Sequence, residues 1–530
     1  MMGAMRLLGT LVLALTLALA GAGVAVAEDS GTSEPPPVSA VAEDPTSRTS
    51  EAKAALRAAE DLVGDKSTSE AAHQLSDGGE VTMALLDLWR NRPNLGGQDA
   101  RTAARILARP GGTKVSCSTH FCVHYAPSNA SASYVKTVRA TMENVYSTYR
   151  KADYRMPPSD KGRGGNDKLD IYLQDLASQG YYGYCQPEEY AGGKGYAAYG
   201  FCVLDNDYDS SQYPSHTPKE NLQVTAAHEF FHAVQFSYDV WEDSWIMEAT
   251  ATWAEDEVYP KVNDNIQYLP TSQLVSPKGS LDDPDAGGSN GLAVYGAWIF
   301  FRYLTEQRPA ERGRLPRLIV NIWKQLDSTR GAKNNRYSMQ GVQAAVKKAD
   351  WNLDAAYAGF VSAALKPAKG FAEGSKYVSF IKKRVTDYTG APATRIEFNG
   401  PGTVNKDWRG LKLRHMASAS WHITGSSPAA VAGATFHVKF SKVSNWARMV
   451  LTTNKANGRR VIKTLKPKNA RIGAAIDFDS ATVDSIDLSL VNVSRKYTKC
   501  TIGGSATGSS CGGVATQNKI GLVGKLWVTN

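Results

Sequence analysis

After its first 27 residues the chain has no apolar stretch long enough to span a bilayer, which excludes a polytopic membrane protein. It has no C-x-x-C pair, so a cysteine-based zinc cluster is not indicated. A G-x-S-x-G elbow, a phosphate-cradling glycine loop and a dinucleotide fingerprint are missing too, which removes the usual signatures of serine hydrolases and nucleotide-dependent enzymes. Cysteine is scarce, six in 530 residues, but the six fall into three local pairs: Cys117/Cys122, Cys185/Cys202 and Cys500/Cys511. An exported chain is expected to oxidise such pairs to disulfides. The composition is otherwise ordinary. With 42% apolar, 9% aromatic and 21% charged residues the chain is neither disordered nor collagen-like, and at roughly 150 residues per domain its length predicts about three units.

What is present begins with an export signal. Residues 1–27 carry one charge, Arg6, then an apolar stretch from Leu7, and end in Ala25-Val26-Ala27 before the polar Glu28-Asp29-Ser30. This pattern predicts a secretory signal peptide cleaved after Ala27, and hence a secreted, extracellular protein with no remaining transmembrane anchor. Residues 28–50, rich in Ser, Thr, Glu and Pro, read as a disordered linker. Residues 51–112 show helical spacing in short pieces and form either a propeptide that blocks an active site or an N-terminal subdomain. From 113 to 390 strand-like runs alternate with amphipathic stretches, and after Trp298 the pattern is mostly helical. Residues 391–530 change to short alternating runs, such as Phe436, Val438 and Phe440 against His437 and Lys439, or Ile486, Leu488 and Leu490 against Asp487 and Ser489; these predict a β-sandwich.

Charge divides along the same line. The formal net charge is +9, yet residues 391–530 hold 20 Lys and Arg against 6 Asp and Glu. That surplus fits either a solvated surface or adhesion to an anionic polymer of the cell wall. Lacking a recognition helix or an aromatic-rich single-strand motif, the basic module does not read as a nucleic-acid binder.

The most informative stretch is Thr225-Ala226-Ala227-His228-Glu229-Phe230-Phe231-His232, which contains H-E-x-x-H. Four helical residues advance about 400°, so His228 and His232 project from one face and can reach one Zn²⁺. Glu229 then stands beside the ion, placed to take a proton from the attacking water and deliver it to the leaving amine. Thr217-Pro218-Lys219-Glu220 supplies an N-cap, a proline at the first helical position and a capping-box glutamate, which predicts a helix over about 218–237. A second helix opens at Asp243 or Ser244 and stops before Pro260, and Glu248 on it can complete a His₂Glu site; Glu255, one or two turns on, is the competing choice.

The segment Trp245-Ile246-Met247-Glu248-Ala249-Thr250-Ala251-Thr252-Trp253-Ala254-Glu255 resembles the W-L-N-E-G-F-A-[ST]-[WY]-x-E stretch that follows H-E-x-x-H in gluzincin metallopeptidases of the membrane-alanyl-aminopeptidase type. The chain as a whole looks like a secreted bacterial branch of such zinc metalloproteases. The resemblance spans about residues 80–390 and is specific over 225–255. It implies Zn²⁺, hydrolysis of peptide bonds in a polypeptide substrate, His228, His232 and Glu248 as ligands, and Glu229 as general base. Tyr295, in Val294-Tyr295-Gly296-Ala297-Trp298, resembles the position of the aminopeptidases' transition-state tyrosine, whose hydroxyl would donate to the oxyanion; it reads equally as a core tyrosine. The gap between His232 and Glu248 is shorter than in the aminopeptidases, and no G-x-M-E-N-like strand holds a free N-terminus, which points to endopeptidase activity. The run Gly195 to Leu204 is a candidate edge strand for an extended peptide.

Weaker signals complete the reading. Asp205, Asp207 and Asp209 alternate like calcium ligands, but Ser210 and His216 stand where an EF-hand needs Gly and Glu, so they read as solvated carboxylates. His120 and His124 read as structural residues with no partner, and His415, His422 and His437 lie singly on the basic module. The expectation is an α+β chain: a zincin-like metallopeptidase domain with a helical C-terminal subdomain, followed by a β-sandwich module. The rival expectation is a surface or wall-polymer binding protein whose zinc site is structural or degenerate.

Overall fold

A computed structural model describes residues 45–63, 81–112, 114–193, 195–283, 291–330, 336–404, 412–495, 497–498, 514–515, 520–521 and 523–530. The signal peptide, residues 28–44 of the expected linker and the Cys500/Cys511 pair lie outside the described residues. Helix α1 (Pro45–Val63) begins inside the stretch expected as linker, because Pro45 is preset for a first helical position and Ala52, Ala55, Leu56 and Ala59 behind it make a buried stripe. Helices α2 (Val81–Asn91) and α3 (Gly97–Ile106) follow and pack with α1.

A five-stranded sheet comes next: β1 (Lys114–Cys117), β2 (Phe121–Tyr125), β3 (Leu169–Gln174), β4 (Gly183–Tyr190) and β5 (Ala198–Asp205), in the order β1-β2-β3-β5-β4. The pairs β2/β3 and β3/β5 are parallel, whereas β4 runs antiparallel to β5. Strand β5 is therefore internal, and the edge expected at Gly195–Leu204 belongs to Gly183–Tyr190 instead. Every residue of β5 is buried, as suits a central strand covered on both faces, while β4 becomes half-buried towards Tyr190. One face carries Tyr172, Tyr184, Phe201 and Val203 against the N-terminal helices; the opposite face supplies Ile171, Cys202 and Leu204 to the main core. That core packs on α4 (Ala132–Lys151), α5 (Pro218–Phe236) and α6 (Ser244–Val258).

The helical pattern after Trp298 is realised as α7 (Trp298–Gln307), α8 (Arg317–Gln325), α9 (Met339–Lys348), α10 (Leu353–Ala364) and α11 (Gly374–Arg384). Beyond them lie two further sheets. One has the order β11-β10-β13-β8-β6, built from β6 (Ala393–Phe398), β8 (Ala417–Gly425), β10 (Ala447–Lys455), β11 (Arg460–Leu465) and β13 (Val483–Asn492). The other has the order β12-β9-β14-β7, from β7 (Gly402–Val404), β9 (Thr435–Ser441), β12 (Arg471–Asp477) and β14 (Val523–Thr529). Phe436, Val438, Phe440, Ile486, Leu488 and Leu490 face a core common to both sheets, as their alternation predicts. Asp487 and Ser489 on the reverse face of β13 are buried too, because that face lies against α10 instead of solvent.

These sheets are tied to the helical body by buried polar contacts. Asp354 accepts from Arg448 at 2.6 Å and from Arg495 at 2.7 Å, and His415 meets Asp282 at 2.9 Å. The molecule is thus a mixed α+β chain with several sheets. Disulfides join Cys117 to Cys122 and Cys185 to Cys202, and among the described residues no helix is long and apolar enough to cross a membrane.

Candidate metal centre

Helix α5 forms where its cap dictates. Thr217 accepts from the Glu220 amide, the Glu220 carboxylate accepts from the Thr217 amide, and Pro218 takes the first helical position. Nearly all of α5 is buried, so both imidazoles of H-E-x-x-H are held inside the protein. Asp243 caps α6 through its backbone conformation, and α6 returns alongside α5 to bring Glu248 to the two histidines.

His228 Nε2 lies 3.1 Å and His232 Nε2 3.5 Å from Glu248 Oε2. One ligand atom from each of the three residues falls within 4.8 Å of the others, and among the described residues this is the one such group of His, Cys, Asp and Glu. Donors roughly 2.1 Å from a tetrahedral ion sit about 3.4 Å apart, and both histidine-to-Glu248 distances are of that size. The orientation of the rings agrees. His228 Nδ1 faces Glu255 Oε1 at 2.5 Å, and His232 Nδ1 donates to Gln235 Oε1 at 2.8 Å. The Gln235 amide is itself fixed, since its Nε2 donates to the Met247 carbonyl at 2.8 Å and to Thr250 Oγ1 at 3.1 Å. With both Nδ1 atoms facing side-chain acceptors, Nε2 is in each ring the nitrogen turned toward Glu248. His232 Nε2 and Glu248 Oε1 are buried and make no hydrogen bond to the described residues.

Electrostatics follow from burial and these neighbours. Burial opposes the charge of Glu248, but the two imidazoles prevail and hold its carboxyl at about 2. Burial pushes Glu255 up to about 8 against the pull of His228. Burial also raises Glu229, the direction that suits a proton acceptor working near neutrality. Gly183, at the start of β4, makes this crowding feasible: a Cβ there would meet Thr225 Cγ2 at 2.9 Å, the Val203 carbonyl at 3.0 Å and Glu229 Cγ at 3.2 Å.

Tyr295 borders the same cleft. Its ring stacks at 6.0 Å on His228 and at 4.9 Å on Tyr268, so the three rings make one wall. Glu255, the competing ligand, instead contacts the far nitrogen of His228 and supports the ring. Sequence reasoning missed two residues, Gln235 and Thr82. Gln235 was open to detection, since it lies three positions past His232 and so shares its face. Glu255, named only as the competing ligand, lies against His228 Nδ1. Thr82 carries no local signal: it comes from α2, 147 positions away, and its hydroxyl donates to Glu229 Oε2 at 3.1 Å.

The remaining candidates have ordinary partners. Asp205 is fully buried, not solvated, and accepts from the amides of Leu176, Asp207 and Tyr208 and from the Tyr213 hydroxyl; it ties a turn, while Asp207 and Asp209 are exposed. His120 pairs with Glu143 at 2.7 Å and His124 with Asp170 at 2.6 Å, so neither lacks a partner. His422 pairs with Asp487 at 2.6 Å, and His437 stacks on Trp527. No protein-family profile matches the chain, and no curated protein matches it in sequence.

Proposed function

We propose that this chain is a secreted zinc-dependent endopeptidase of the gluzincin type. On this reading residues 113–390 are a zincin-like catalytic domain and residues 391–530 a basic β-sandwich. The observation that carries it is the convergence of His228 Nε2, His232 Nε2 and Glu248 on one point beside a buried Glu229, with each imidazole backed through its other nitrogen. The three residues would hold Zn²⁺, which when bound supplies Lewis-acid polarisation of a scissile carbonyl and acidification of water. Glu229 takes the proton from the attacking water and passes it to the leaving amine, and its buried position favours both transfers. Tyr295, held by Tyr268 and His228, donates its hydroxyl to the oxyanion. The two disulfides accord with export.

The basic module is proposed to meet an anionic wall polymer. In support, β11 exposes Val461 and Ile462 next to Lys463, and Arg459 precedes the strand. The test of the catalytic reading is direct. Purified protein should carry about one zinc per chain and, either intact or freed of its N-terminal segment, cut an unfolded polypeptide, and Glu229→Gln should abolish cutting while keeping the metal. A zinc-loaded chain inert towards unfolded and folded polypeptides, with and without its N-terminal segment, refutes it and favours the binding reading.

A further inference from the structure

Helix α2 lies along the free edge of β4. The Cys185 amide points away from β5 and donates to Thr82 Oγ1 at 3.1 Å. The Trp89 indole donates to the Glu188 carbonyl at 2.9 Å, and Gln186 Nε2 to the Leu107 carbonyl at 2.6 Å. Arg109, at the end of the same segment, donates to both carboxylate oxygens of Glu188 and to Asp160 and Asp170. An added strand would use the outward amides and carbonyls of β4 at a spacing of about 4.8 Å. Two of those groups are already taken.

The Thr82 hydroxyl also reaches across the site. It accepts from β4 and donates to Glu229 Oε2, so one side chain bridges the gap between edge strand and proton acceptor. A donor bound to Glu229 occupies the oxygen that would receive the proton from water. Thr82 lines the same cleft as His228, Glu229, Tyr268 and Tyr295. The segment is held firmly: Arg90 is buried and donates to the carbonyls of Val240 and Glu242, while Leu86 and Trp89 enter the main core.

We propose that residues 81–109 are an internal inhibitor that fills the path of the peptide along β4, and that peptidase activity follows their release by a cut in the exposed Gly111–Gly112 connection. This rests on the peptidase reading above. Release leaves Cys185 N–H and Glu188 C=O free for substrate and Glu229 without its donor.

The test uses the folded full-length chain with a site-specific protease sequence inserted between Gly111 and Gly112. The protein is nicked after folding, the N-terminal piece is removed by gel filtration in mild urea, and the remainder is returned to buffer. Zinc content and cutting of a dye-quenched, unfolded polypeptide are measured before and after. Cutting should rise by about tenfold or more, as when a competent state goes from a minor to the major population, and adding back the released piece should suppress it. Glu229→Gln in the nicked chain should stay at background. An intact chain as active as the nicked one, with activity lost in Glu229→Gln, overturns the inhibitor and leaves the peptidase. A zinc-loaded nicked chain that cuts nothing overturns both.

Discussion

Gln235 offers the sharpest test of how the candidate centre is held. It is fully buried and makes three hydrogen bonds, one to His232 and two that fix its amide on α6. Gln235→Leu keeps much of the volume and removes all three. The His232 Nδ1 proton then has no acceptor in an apolar surround, so the ring is free to turn or to move its proton to Nε2, where it would face the metal. Leaving one buried donor unpaired and losing the accompanying bonds costs about 2–4 kcal/mol of stability. Removing the group that orients a metal-binding imidazole costs about 10–100-fold in metal affinity. Both are measurable on one sample, thermal unfolding of the metal-free chain for the first and competition with a chromophoric chelator for the second. A variant that unfolds at a lower temperature yet binds zinc as tightly as the parent refutes the claim that Gln235 sets the histidine's orientation.

Two further outcomes follow from the C-terminal sheets. Asp354→Ala strips the partner from both Arg448 and Arg495, which are largely buried there, and should cost about 3–5 kcal/mol, seen as a lower urea midpoint; no shift would mean the contact is solvated. For Asp487, burial opposes its charge, but bonds from His422 and Asn454 hold its carboxyl below the ordinary 3.8. The unfolded chain therefore binds this proton more readily, so the contribution is complete above 3.8 and is lost as pH falls through the depressed value. Urea midpoints of the parent and Asp487→Asn should differ clearly at pH 6 and converge at low pH; a gap constant with pH would refute this.

What could be read from the chain was local. The capping box at Thr217 and Glu220 marked α5 to within a residue, because both partners lie within one turn. Glu248 was reachable through its neighbours, which resemble a known segment. The edge strand was misplaced although a signal existed: Phe201-Cys202-Val203-Leu204 is a continuous apolar run, the mark of a strand covered on both faces. The burial of Asp487 could not be seen, since it depends on a helix more than a hundred residues earlier. The same holds for Thr82, whose part is set by where the sheet carries β4.

The three converging donors come from one helical hairpin, and its consequence is one of timing. The most distant donor pair, His228 and Glu248, is 20 positions apart, against 147 between Thr82 and Glu229. Closing the longer loop costs about 2 kcal/mol more chain entropy. The hairpin is thus the cheaper nucleus, one that a divalent ion can reward while the rest of the polypeptide is still searching. The Thr82 bond to Glu229 spans the longer loop and needs β4 in place, since the same hydroxyl also meets the Cys185 amide.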